Sequence, residues 1–113
     1  MPRNMSFALT KQQFLNRTKS VTRRLGWHTV KPGQVINAVE KSQGLKKGEH
    51  VKVLGQIKVL TVRIEQLDAI TFEECRREGF PDLLPSEFVE FFCKANNCSP
   101  YQMVNVIEFM RID

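Results

Sequence analysis

The chain has little with which to build a covalently or metal-stapled fold. Three of its 113 residues are cysteine (Cys75, Cys93 and Cys98) and two are histidine (His28 and His50). The cysteines are odd in number and form no C-x-x-C pair, and none of the five residues stands at a zinc-site spacing. The expectation is three reduced thiols, no disulfide framework, no metal and no cofactor. No apolar run approaches the roughly 20 residues that a membrane helix requires, so no membrane partner is expected. The opening segment "MPRNMSFALTKQQF" has neither a long apolar core nor a small-residue cleavage site. A secretory signal is therefore not expected, and the cytoplasm is the default compartment. Glycine (6) and proline (5) are sparse, and no repeat, low-complexity tract or linker interrupts the sequence. One domain over residues 1–113 follows, long enough to bury about two thirds of its unfolded surface.

Acidic residues are scarce too, but only in one half. Residues 1–63 hold 13 Lys and Arg against Glu40 and Glu49, whereas residues 64–113 hold 4 against 10 acids. A half of about +11 facing a half of about −6 predicts a basic face and an acidic counter-face in one domain. The basic face would attract a polyanion such as RNA.

What is present is an ordinary globular composition, 42% hydrophobic and 26% charged, with a readable order of elements. "SFALT" (Ser6 to Thr10) reads as a short strand. "KQQFLNR" (Lys11 to Arg17) reads as a helical turn or two with Phe14 and Leu15 inward. "KPGQ" (Lys31 to Gln34) signals a turn, and "VINAVE" (Val35 to Glu40) a strand. "SQGLKKGEH" (Ser42 to His50) is a polar loop. Val51, Val53, Ile57 and Val59 then alternate with Lys52, Gln56 and Lys58, before the parity shifts to Leu60, Val62 and Ile64. A bulge near Gly55 or Thr61 accounts for the shift. "TFEE" (Thr71 to Glu74) is a capping box that opens a helix ending near Gly79. "GFPDLLP" is a rigid loop, and "SEFVEFFCKANN" (Ser86 to Asn97) an amphipathic helix with Phe88, Phe91, Phe92 and Ala95 on its apolar side, a stripe read as core. "MVNVIEFMRI" (Met103 to Ile112) closes as an apolar strand. The fold class is α+β, a curved or closed small β-barrel with flanking helices.

The densest chemistry sits in "TKSVTRR" (Thr18 to Arg24). A regular strand would put Ser20, Thr22 and Arg24 on one face and Val21 opposite, among Lys19 and Arg23. Lys19 and Thr22 meet only where the strand begins with a bend or bulge. The run reads first as a basic edge strand whose cations discourage aggregation, and otherwise as a phosphate-binding strip or a reactive strip with a hydroxyl beside an amine.

The words "TKSVTRR", "KPGQ", "REGFPD" and "VIEFMR", in this order from about Phe7 to Ile112, resemble the ASCH superfamily of small PUA-like β-barrels. Its signature is G-x-K-x-x-T-x-R, and Lys19, Thr22 and Arg24 match the Lys, Thr and Arg. Arg17 stands where the signature has Gly, and Asn16 is expected to supply the unusual backbone angle instead. The resemblance implies an RNA-binding module or, in one bacterial branch of similarly short proteins, an N4-acetylcytidine amidohydrolase. In that branch a Glu in the helix after the barrel strands acts with the Lys and Thr, and Glu78 is the aligned acid here. Glu73 and Glu74 are read as helix capping and surface.

The implied chemistry needs a nucleophile, a base and a cation for the developing oxyanion. Thr22 would attack. Lys19, its ammonium destabilised by burial and by Arg23 or Arg24, would take the proton. Glu78 would orient the lysine or deliver a water. Arg24 would bind the ring carbonyl or the oxyanion, and Trp27 and Phe80 would stack on the base. The expected substrate is a modified nucleoside or base. The alternative is an RNA-binding module using Arg23, Lys46 and Lys47 without catalysis, and a third reading is a regulatory or adaptor domain.

Overall fold

The computed structural model describes residues 3–41, 48 and 50–112. Its elements are β1 (Arg3–Ser6), a 3-10 turn (Ala8–Thr10), α1 (Lys11–Leu15), β2 (Val21–Arg24), β3 (Val35–Val39), β4 (Val53–Gln66), a 3-10 turn (Leu67–Ala69), α2 (Phe72–Arg77), α3 (Pro85–Asn96) and β5 (Met103–Arg111). The five strands form one curled half-barrel sheet in the order β1-β3-β4-β5-β2. β1 pairs parallel with β3, and the other neighbours pair antiparallel. Among the described residues the sheet does not close: β1 and β2 are its two edges.

Several local expectations are corrected. "SFALT" is not a strand: β1 ends at Ser6, and Ala8–Thr10 forms the 3-10 turn that leads into α1. Phe14 is buried as expected, but Leu15 is exposed, because a five-residue helix has room for only one inward position. β4 is a single 14-residue strand, and both suspected irregularities occur in it. Its ladder with β3 skips Leu54, and its ladder with β5 skips Leu60. Leu60 at the second bulge and Ile64 beyond it are exposed, while Val62 of the shifted set is half-buried and packs against the core. Of the polar loop after β3, residues 42–47 and 49, Lys46 and Lys47 included, lie outside the described residues.

The two faces of the sheet carry two cores. One gathers Met5, Phe7, Phe14, Val30, Ile36, Ala38, Ile57, Val59, Ile107 and Phe109. In it Phe7 lies 4.8 Å from Phe14 and 5.9 Å from Phe109, centroid to centroid. The other gathers Val21, Val104 and Val106 from the sheet with Leu67, Ile70, Cys75, Phe88, Val89 and Phe92 from the turn and the helices over it. The strict alternation of β5 sends Val104 and Val106 one way and Ile107 and Phe109 the other.

α2 starts and stops as its residues dictate. Thr71 Oγ1 accepts from the Glu74 backbone N–H at 3.2 Å, the expected cap. Glu74 turns its carboxylate elsewhere, to Arg23, Arg63 and Arg77. Gly79 ends the helix at φ 98, and a β-carbon there would stand 2.7 Å from Gln13 Cβ. Only glycine lets the end of α2 approach α1 this closely. The reading of α3 holds at its buried positions: Phe88 and Phe92 pack into the second core, while Ala95 is exposed.

Candidate active site

β2 is an edge strand, yet Val21, Thr22 and Arg23 are all buried. The loop before it explains this. Arg17 adopts φ 64, so the left-handed residue is the one that replaces the signature glycine, and Asn16 (φ −89) does not supply the angle. Asn16 instead accepts from the Thr18 hydroxyl at 2.8 Å, and Thr18 N bonds to Gln13 O at 3.1 Å, which folds the loop back on α1. Ser20 N then donates to Arg77 O at 2.8 Å, docking the start of β2 against the end of α2. The chain is therefore bent ahead of β2.

Lys19 and Glu78, 59 residues apart, meet here. Lys19 Nζ donates to Glu78 Oε1 at 2.6 Å and to the Glu78 carbonyl at 3.1 Å, with both side chains almost wholly buried. Glu78 is the C-terminal cap of α2, where the helix dipole disfavours a carboxylate, so its cations must hold it. Arg23 is the second of these, with NH1 at 3.2 Å from Glu78 Oε2. Burial lowers the Lys19 pKa below its ordinary value: desolvation outweighs the opposing pull of Glu78, and Arg24 and Arg23 add to the lowering. Burial likewise lowers Arg24 to about 10, against a smaller raising effect of Glu78.

Thr22 and Arg24 share a strand face as expected. The Arg24 Nε–H donates to Thr22 Oγ1 at 3.0 Å, and its guanidinium carbon lies 4.8 Å from the centre of the Phe7 ring. Lys19, Thr22, Arg23, Arg24, Glu78 and Phe80 all line one cavity of about 150 Å³ between β2, the first 3-10 turn and α3. Ser6, Thr10 and Asn96 add polar groups to its wall. A cavity of about this volume accommodates a single six-membered ring. Phe80 packs 5.2 Å from Phe91 and 5.8 Å from Phe88, centroid to centroid, forming an aromatic side to the cavity.

Trp27 is not part of this wall. It packs against the first core beneath Arg3, whose guanidinium carbon stands 4.0 Å from the ring centre. Two features escaped the sequence reading. The Phe88, Phe91, Phe92 and Ala95 stripe, read as core, also lines the cavity. Glu74, read as capping and surface, is mostly buried and accepts from three arginines. Its pKa is lowered: burial raises it, but the Arg63 hydrogen bond and the nearby Arg23 and Arg77 prevail. The only hint in the sequence was the excess of arginine in "TRR" and "CRR".

At the site, three cations of the basic half meet acids of the other half. Arg23 pairs with Glu65, Glu74 and Glu78; Arg63 pairs with Glu65 and Glu74; and Lys19 pairs with Glu78. Lys19, Arg23 and Arg63 of the first half are thus paired with acids of the second. Among the described residues no helix is long and apolar enough to cross a membrane, and no three His, Cys, Asp or Glu converge as metal ligands would.

The architecture is that of a known small α+β class. The crystal structure of protein EF3133 from Enterococcus faecalis, described by the family model DUF984, superposes with a TM-score of 0.70 at 16% identity. The match covers 100% of this chain and 81% of that one. At this identity the likeness is one of fold. No family model matches the chain, and no curated protein matches it.

Proposed function

We propose that this is an ASCH-type, PUA-like domain that hydrolyses the exocyclic amide of N4-acylated cytosine or cytidine. The observation that carries the reading is the gathering of Lys19, Thr22 and Glu78, with Arg24, around one small aromatic-walled cavity. Each step has a group to perform it. The Lys19 amine takes the Thr22 hydroxyl proton as the oxygen attacks the acyl carbon. The Arg24 guanidinium, already on Thr22 Oγ1, neutralises the tetrahedral oxyanion. Collapse breaks the C–N bond, and the proton returns from Lys19 to the departing cytosine nitrogen. Water then cleaves the threonyl ester: its proton passes through the Lys19 amine, held by Glu78, to the departing Thr22 oxygen, and the carboxylic acid is released. Phe80, Phe88 and Phe91 provide a face for the ring.

The test is to mix purified protein with N4-acetylcytidine and follow the ultraviolet change to cytidine, with Lys19→Ala, Thr22→Ala and Glu78→Ala alongside. Turnover by the parent protein and its loss in all three folded variants is the expected result. No turnover with acetyl or longer acyl groups, together with RNA affinity that falls steeply with salt, would replace the reading with that of an RNA-binding module.

A further inference from the structure

Arg23 occupies a variable position of the signature word, yet it is the most enclosed cation in the described molecule. Its side chain has 0% exposure and faces three carboxylates. NH1 lies 3.2 Å from Glu78 Oε2, while NH2 lies 3.0 Å from Glu65 Oε1 and 3.3 Å from Glu74 Oε1. Its buried Nε has no hydrogen-bond partner, a cost tolerated only where the rest of the group is tightly held. Arg63 and Arg77 secure the outer acids: Arg63 reaches Glu74 and Glu65, and Arg77 reaches Glu74 and Glu108.

Glu78 is thus held by two cations at once, Lys19 on Oε1 and Arg23 on Oε2. Arg24 and Arg23 both lie close enough to Lys19 to disfavour a proton on its buried amine.

We propose that Arg23 is a positioning residue of this site. It grips the far oxygen of Glu78 from a base on Glu65 and Glu74, turns the near oxygen to Lys19, and neutralises the carboxylate so that Lys19 need not. The inference rests on the amidohydrolase reading for its purpose, but not for its geometry. A planar guanidinium can hold Glu78 on one nitrogen and two further acids on the other, which a single ammonium cannot do as well. The charged groups facing Lys19 are Glu78, Arg24 and Arg23. Removing Arg23 leaves Glu78 free to draw a proton onto the amine.

The test reads the Lys19 proton directly, without substrate. Protein carrying 13C-labelled lysine is titrated by NMR, with Lys19→Met to assign the signal, for the parent chain, Arg23→Gln and Arg23→Lys. The inference requires the Lys19 midpoint in Arg23→Gln to move up by about one pH unit, a tenfold gain in proton affinity. Arg23→Lys, which keeps the charge and loses the fork, should recover only part of the difference. An unmoved midpoint in folded Arg23→Gln overturns the inference. If Arg23→Gln fails to fold, an unmoved midpoint in Arg23→Lys does the same. Kinetics with N4-acetylcytidine then separate the two claims. A shifted midpoint without turnover in any form sustains the role of Arg23 and defeats the amidohydrolase reading. Turnover with identical midpoints and identical pH–rate profiles sustains the enzyme and removes Arg23 from it.

Discussion

Arg24 lies two residues beyond Thr22 on β2 and donates its Nε–H to the Thr22 hydroxyl oxygen at 3.0 Å. A cation on that oxygen stabilises it as negative charge develops and leaves the hydroxyl proton available to a base. Replacing Arg24 with Gln should lower kcat by about 10²- to 10³-fold, the usual loss when one donor to an oxyanion is removed. Thr22→Val should abolish turnover, while Thr22→Ser should keep part of it. Steady-state kinetics on the four proteins, with circular dichroism to confirm folding, provides the check.

Lys19 should leave a mark on both activity and stability. Because burial lowers its folded pKa below the ordinary lysine value of 10.5, the unfolded chain binds a proton that the native protein refuses between the two values. Stability from this group is thus present above 10.5 and lost as pH falls through that window toward the folded value. Denaturant titrations should show the stability difference between the parent and Lys19→Met growing in the parent's favour as pH rises. Over the same range kcat/KM should climb as the amine is freed, and Lys19→Met should show no such limb.

Glu74 works in the opposite region. Its folded pKa is lowered from 4.5, so the stabilisation it gives is complete above that value and disappears as pH falls below it. Glu74→Gln should cost about 2 kcal/mol at neutral pH, through hydrogen bonds to three arginines, and should flatten the acid limb of the stability curve. Urea midpoints measured from pH 3 to 7 test both statements.

Two backbone positions should respond in opposite senses. Gly79→Ala drives a methyl group into Gln13 at a positive φ, which should cost about 1–3 kcal/mol and displace the adjacent Glu78. Arg17 already sits at φ 64, so Arg17→Gly should relieve strain and raise stability by up to about 1 kcal/mol. Thermal melts of both variants decide the matter, and a destabilised Arg17→Gly would contradict the account of this loop.

The regular parts of this fold were legible because local chemistry decides them. "KPGQ" turns, Thr71 caps α2, Gly79 ends it, and the broken alternation between Val51 and Ile64 marks real bulges at Leu54 and Leu60. "SFALT" misled because its alternation is too short to separate a strand from a 3-10 turn. The site was half legible. Resemblance pointed to Lys19, Thr22 and Glu78, but period-two reasoning expects one face of a polar edge strand to be wet. Here the second core covers one face of β2 and the cavity closes the other, so Arg23 is buried without any local sign of it. Trp27 lies away from the cavity for a related reason: large aromatic surface serves packing as readily as recognition, and only tertiary position distinguishes them.

The alternation along β5 has a consequence for how the molecule comes apart. Val104 and Val106 belong to one core, and Ile107 and Phe109 to the other, on a strand that pairs with β4 on one side and β2 on the other. β5 cannot leave without releasing both cores. The two cores therefore melt as a single cooperative unit, and the slowest amide protons to exchange with solvent are those of β5, opening only when the whole domain does.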